Sequence, residues 1–128
     1  MLTELNYEVI KAAPELKGNI YATNAPEYSE KPYLVYYQSN AGYDKTLDGY
    51  TGSNSITYVY SIMAKRQEDT SRLTESIVGL LVSLPMNYIG KNKNVMVHDL
   101  VINNEHEIYE FELKLNRSII DFTIYFTK

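Results

Sequence analysis

The chain ends in a long segment in which large apolar side chains recur at every second position. Successive side chains of a β-strand point to opposite faces, so this spacing places them on one face. We therefore expect a strand over Glu112–Thr127, the longest of the molecule, with Phe122 fully buried. Asp121 and Tyr125 alternate with the apolar set, and we expect them at the surface or at a subunit contact. The apolar positions are Ile120, Phe122, Ile124 and Phe126.

The rest of the chain predicts two helices and several further strands. A first helix, capped by Thr3, is expected to end near Ala13, before Pro14. A second helix, capped by Asp69 or Thr70, is expected to end at Pro85. Period-two or β-rich segments predict strands. These strands are Ile20–Ala22, Tyr33–Gln38 after Pro32, Ile56–Ala64 and Val95–Ile102. The last of them is expected to lie between a turn at Lys91–Asn94 and a break at Asn103–His106.

These elements predict an α+β fold. Each helix has one apolar stripe, so both should pack on one face of a single, mostly antiparallel sheet. Ser39–Ser55 contains three glycines and is expected to be a long loop between two central strands, either functional or mobile. A length of 128 residues fits one domain, 1–128.

The composition disfavours several classes of protein. The net charge is −4 and Lys and Arg form no cluster, which argues against gripping DNA or RNA. No apolar run is long enough to span a membrane, and the N-terminus lacks the pattern of a signal peptide. The chain has no cysteine but thirteen tyrosines. So many tyrosines suit half-buried sheet faces and protein interfaces, or else reflect the codon bias of an AT-rich genome.

Residues that could carry chemistry form no complete motif. His98-Asp99 and His106-Glu107 have no third metal ligand at a suitable spacing. Asp44–Gly49 is partly similar to a calcium-binding loop, but the twelfth position is Ser55 instead of the required Glu. Nucleophile-elbow and phosphate-binding motifs are absent. We therefore expect no catalytic residues, no metal and no cofactor. Asp121 is unusual within a strand and is expected to face solvent, to pair with Arg117 or to fix register at a subunit contact.

Four segments, in this order along the chain, resemble the tail completion (tail terminator) proteins of long-tailed bacteriophages. Two departures from the family pattern are Asn19, where a basic residue is usual, and the acidic stretch Glu105–Glu112. The matching segments are Gly18-Asn19-Ile20-Tyr21 with Ala25-Pro26, Lys31-Pro32-Tyr33-Leu34-Val35-Tyr36, Tyr58-Val59-Tyr60-Ser61-Ile62-Met63-Ala64 and Ser118-Ile119-Ile120-Asp121-Phe122-Thr123-Ile124-Tyr125.

The resemblance implies a structural protein of the virion that is not an enzyme. Such a protein forms a homo-hexameric ring, caps the tail tube built from the major tail protein and docks on the head connector. It would be located at the head–tail interface, after assembly in the host cytoplasm, and DNA would pass through the lumen without specific binding. Another head–tail connector, a minor capsid component and a small ligand-binding domain remain alternatives. The candidate interface residues are Asp44, Lys45, Asp48, Tyr50, Asp121 and Tyr125.

Overall fold

The chain folds into two helices and six strands in the computed structural model, which describes residues 2–23, 32–46 and 49–128. Side chains at residues 40, 43–46 and 49–52 lie outside this description. A short 3₁₀ turn, Pro14–Leu16, follows the first helix. In chain order the elements are α1 (Thr3–Ala12), β1 (Ile20–Ala22), β2 (Tyr33–Thr46), β3 (Gly49–Ala64), α2 (Gln67–Ser83), β4 (Asn87–Ile89), β5 (Val95–Glu110) and β6 (Leu115–Thr127).

The described strands form one six-stranded sheet in the order β1-β2-β3-β6-β5-β4. Only the β1–β2 pair is parallel, and the other four pairs are antiparallel. Two short strands, β1 and β4, therefore form the edges, while the four long strands β2, β3, β6 and β5 form the centre. Each short strand covers only three residues of its neighbour, Leu34–Tyr36 of β2 and Val95–Val97 of β5, so the outer parts of β2 and β5 are themselves edges of the described sheet.

Both helices pack on the same face of the sheet, which confirms the predicted α+β arrangement. Leu5 and Val9 of α1 share one buried cluster with Leu73, Ile77 and Leu81 of α2. The sheet adds its alternate residues to this cluster, because period two directs one set of side chains toward the helices. The sheet residues at its centre are Tyr36, Tyr58, Tyr60, Ile62, Ile120, Phe122 and Ile124.

The closing strand has the two faces that its alternation predicts. Phe122 is 0% exposed, and its ring lies 4.8 Å from that of Tyr60 in an edge-to-face contact. Tyr125, on the opposite face, is 41% exposed. However, β6 begins at Leu115 instead of Glu112 and is shorter than β3 and β5, which have 16 residues each. The prediction that it is the longest strand was wrong.

The expected loop at Ser39–Ser55 is instead the outer part of a hairpin. β2 continues to Thr46 and β3 starts at Gly49, and these two residues pair. Backbone pairing tolerates the glycines and polar side chains of this segment because two register shifts, at Gln38/Asn40 and Tyr43/Lys45, absorb the irregularity. The long loop is therefore absent, and with it the basis for expecting a mobile segment.

The expected break at Asn103–His106 lies inside β5. A register shift between Ile102 and Asn104 interrupts the pairing for one residue, and the strand then continues to Glu110. The two asparagines thus mark a β-bulge, which bends a strand without ending it.

The helix boundaries are close to the expected ones, but the capping side chains are different. Neither helix has a side-chain cap, and the residues before them are Leu2 and Arg66. Thr70 lies inside α2, where its hydroxyl donates to the carbonyl oxygen of Arg66 at 3.1 Å. Burial of the apolar stripes, and not capping, therefore sets where these helices begin.

Candidate functional site

The sheet face opposite the helices, here called the outer face, is covered by no described element. Its side chains are those that alternate with the core positions of β2, β3, β6 and β5. At one end of β2, β3 and β6 it is apolar, with Tyr33, Met63 and Leu115 buried against Tyr21 and Val35. Farther along these strands it becomes polar. This change divides the outer face into an apolar part and a hydrogen-bonded part.

A ladder of polar side chains crosses three strands of the outer face. Thr57 of β3 and Thr123 of β6 place their hydroxyl oxygens 2.8 Å apart. From β5, the Asn103 side-chain amide donates to Thr123 Oγ1 at 3.0 Å and to Asp121 Oδ1 at 3.2 Å. Asn103 is the unpaired residue of the bulge between Ile102 and Asn104, and it lies beside this ladder. Cross-strand pairs of this kind hold the register of a sheet.

Asp121 therefore accepts a hydrogen bond from the Asn103 side chain, and it does not pair with Arg117. Arg117 Nη1 instead lies 3.1 Å from Glu110 Oε1, and its Nε donates to the sulfur of Met63 at 3.4 Å. An aspartate and an arginine four positions apart share a face but are separated by about 13 Å of strand. The expected Asp121–Arg117 pair was wrong for this reason.

A second polar rung lies beside Tyr125 near the end of β6. Thr127 Oγ1 is 2.6 Å from His98 Nε2 and 3.3 Å from Ser53 Oγ. The shallow depression here has a volume of about 320 Å³ and is lined in part by Ser55, His98 and Tyr125. Its side chains already bond to one another, and it is open to solvent, which suits a protein contact better than a small ligand.

The β2–β3 hairpin carries the remaining candidate interface residues, away from Asp121. Asp44 lies on β2, and Lys45 pairs with Tyr50 across the hairpin. Tyr125 of β6 pairs with Ser55 of β3. Tyr50 lies five residues before Ser55 on the same strand. Asp48 lies outside the described residues. By backbone position, the described candidate residues thus divide between the β2–β3 hairpin and strand β6.

A second hairpin, between β5 and β6, was not singled out from the sequence. Its residues from 103 to 109 and 111 to 114 are all exposed. At its end Phe111 is 82% exposed and Leu113 59%, and the rings of Tyr109 and Phe111 lie 4.9 Å apart. Exposed apolar clusters of this kind mark contacts with other proteins. Ile108 alternates with its neighbours as in a strand, but the many polar residues around it are typical of a loop.

His98 and His106 both lie on β5, eight positions apart. His106 is exposed, and its Nδ1 contacts the Asn104 amide nitrogen at 3.4 Å. Among the described residues no group of three or more His, Asp or Glu side chains is placed to hold a metal ion. Within the same residues, no helix combines the length and apolar character needed to cross a membrane.

Comparison with known proteins gives a match in fold but none in sequence. No protein-family model matches the chain, and no curated protein is similar to it in sequence. Among solved structures, a chain of the "Virion of native gene transfer agent (GTA) particle" has a similar fold. The TM-score is 0.69 over 96% of this chain and 92% of that chain, at 10% sequence identity. At this identity the likeness concerns the fold.

Proposed function

We propose that the protein is a structural component of a phage-like virion that caps the tail tube and provides the docking surface for the head connector. The observation that carries this proposal is the fold likeness to a chain of the gene transfer agent virion, which extends over nearly all of both chains. The protein acts by assembly, without catalysis, metal or cofactor.

The sequence resemblance to tail completion proteins supports the same function. Three of its segments, Tyr33–Tyr36, Tyr58–Ala64 and Ser118–Tyr125, lie on β2, β3 and β6, which are neighbours in the sheet. The resemblance rests on residue patterns, and the fold likeness rests on backbone geometry. Both point to a virion component.

The distribution of exposed groups also suits an assembly protein. Two long hairpins extend from the sheet, one of them with an apolar end, and the outer face is free of helices. Repeated copies of such a unit could contact one another and two different partners through separate surfaces. We propose a hexameric ring with the tail tube on one side and the head connector on the other. The net charge of −4 favours DNA passing through without being bound.

The test is to interrupt the gene in cells that produce the particle and to measure the tails by electron microscopy. A tail cap ends polymerisation, so its loss should give tubes of uncontrolled length that do not join heads. Supplying the intact protein should restore uniform tails. Tubes of normal length beside separate filled heads would instead favour the alternative of a head–tail connector. Normal, infectious particles would contradict both.

The absence of catalysis is tested by the two histidines. His98→Ala and His106→Ala should leave particle yield unchanged, since neither side chain has an acidic or metal-binding partner in the described structure. Particles that assemble normally but are inactive, with either folded variant, would contradict a purely structural function.

A further inference from the structure

The end of the β5–β6 hairpin combines apolar side chains with negative charge. We call residues 105–114 the β5–β6 tip. Four glutamates and one lysine give it a charge of −3 with His106 neutral. Phe111 and Leu113 at its end are among the most exposed apolar side chains of the described residues. An apolar centre with a charged rim is the usual composition of a protein–protein contact.

Part of the negative charge on the tip has no ion-pair partner in the part of the chain that the structure describes. Glu107 accepts from Ser71 of α2 at 3.1 Å, which fastens the hairpin to that helix, and Glu110 pairs with Arg117 of the neighbouring strand β6 at 3.1 Å. Among the described residues, Glu105 and Glu112 form no ion pair. Their charges remain available to a partner.

The opposite end of the molecule has the complementary character. We call residues 82–93, around the turn between α2 and β4, the α2–β4 corner. It carries two lysines and no acidic residue, which gives +2. Met86 is 73% exposed, Tyr88 62% and Val82 59%. Lys91 and Lys93 are exposed and form no ion pair with the described residues, although Glu4 of α1 lies beside the same turn, bonded to Asn94.

The tip and the corner of one molecule cannot meet. The Met86 backbone N–H donates to the Val97 carbonyl at 2.7 Å, which fixes the corner at the start of β5. Phe111 follows Val97 by 14 positions, nearly all of them in β5, so the two lie roughly 40–45 Å apart along the strand. Two complementary surfaces at opposite ends of one chain form a head-to-tail contact between copies, and such a contact closes into a ring when its rotation permits.

We infer that the β5–β6 tip of one copy binds the α2–β4 corner of the next, with Phe111 and Leu113 against Met86 and Tyr88, and Glu105 and Glu112 near Lys91 and Lys93. This inference rests on the proposed function in one respect, because the proposed ring requires a contact between neighbouring copies. A second copy is the occupant because this chain itself supplies the complementary charge and the complementary apolar surface.

The absence of cysteine makes disulfide cross-linking a clean test. Particles are assembled with a Leu113→Cys/Met86→Cys double variant and oxidised. A ladder of dimers, trimers and larger species up to a closed ring is expected on a non-reducing gel. The matched control is Leu113→Cys/Tyr37→Cys, because Tyr37 is 48% exposed on β2, far from the corner, and it should give no ladder. A ladder from the control alone, a cross-link from position 113 to a different virion protein, or no ladder in normal particles would overturn the contact.

Charge reversal keeps the inference testable if the cysteine variants do not assemble. Glu112→Lys should weaken self-association of concentrated free protein at low salt by about tenfold, which corresponds to 1.4 kcal/mol. Adding Lys93→Glu to the same chain should restore much of the loss. Glu75→Lys, an exposed reversal on α2, is the control for net charge and should lack rescue by Lys93→Glu. Equal loss in both reversals, with no rescue, would contradict the contact.

The two proposals fail in different ways. If the intact protein is absent from purified particles but its free form shows the rescue, the proposed function is wrong and the contact stands. If the protein is present at the tail end but neither the ladder nor the rescue occurs, the function stands and the contact is wrong.

Discussion

The backbone N–H of Leu2 donates a hydrogen bond to the phenolic oxygen of Tyr58, 2.9 Å away, in the interior of the protein. Leu2 is 1% exposed and Tyr58 2%. The bond joins the residue before α1 to a central strand, although 56 positions separate the two in the chain. It fixes the start of α1 where no side-chain cap is present.

Tyr58→Phe should therefore destabilise the protein. The ring is retained, but the buried N–H of Leu2 loses its acceptor, and an unsatisfied buried donor costs about 1–3 kcal/mol. Urea unfolding should show the loss, while Tyr125→Phe, which removes the hydroxyl of an exposed ring, should stay within about 0.5 kcal/mol of the parent. Equal stability of Tyr58→Phe and the parent would contradict this assignment.

Burial of Tyr60 should make the protein sensitive to alkali. Desolvation raises the pKa of Tyr60 well above the ordinary 10.0 and also raises that of Tyr58. The unfolded chain therefore loses these protons first, so stability is fully present below pH 10 and falls as the pH rises beyond it. Unfolding at pH 8 to 11 should show this fall. The free energy of unfolding of a Tyr60→Phe variant should fall less over this pH range. An equal fall in the variant and the parent would argue against the assignment.

The two faces of β6 should differ in stability and in assembly. Phe122→Ala should cost about 3–5 kcal/mol, because it removes a ring from the centre of the core and leaves a cavity. Tyr125→Ala should cost less than about 1 kcal/mol and should reduce assembly, since its ring is exposed on the outer face. Urea unfolding of both variants measures the loss of stability, and the particle yield of Tyr125→Ala measures assembly. A stability loss for Tyr125→Ala as large as that for Phe122→Ala would show that the faces are assigned wrongly.

Ser118 should be replaceable with a gain in stability. Its side chain is fully buried on β6, and its hydroxyl has no hydrogen-bond partner among the described residues. Ser118→Ala removes this unsatisfied group with little change in volume, so the free energy of unfolding should rise by up to about 1 kcal/mol. Thr74→Ala serves as the contrast, because the Thr74 hydroxyl donates to the Thr70 carbonyl at 2.7 Å. A clear loss for Ser118→Ala would point to a partner for its hydroxyl.

Strands with one buried face were predictable from the sequence. Ile120, Phe122 and Ile124 follow the period of two that burial imposes, and Leu73 and Ile77 follow the period of a helix. The outer part of the β5–β6 hairpin was not predictable in this way, because residues 103–109 are all exposed and no apolar alternation is required. Asp48-Gly49 is a turn dipeptide of the kind that closes hairpins, and it was the available signal for β2–β3.

The candidate site could be predicted only in part for the same reason. Tyr125 was identified because it alternates with a core residue. Phe111 and Leu113 were missed because exposure of an apolar side chain depends on tertiary structure, and the polar neighbours of these residues are typical of a loop. The β4 edge strand, Asn87–Ile89, was missed because three residues are too few to show a period.

The most direct test of the proposed function is electron microscopy of the purified protein mixed with tail tubes taken from cells that lack it. The free protein should sediment near its monomer mass of 14.8 kDa at micromolar concentration, because like charge opposes closure of a ring. On tubes it should form a ring at one end only, and capped tubes should stop growing in the presence of tube subunits. Binding along the tube wall, or continued growth of tubes at normal rate, would contradict the account.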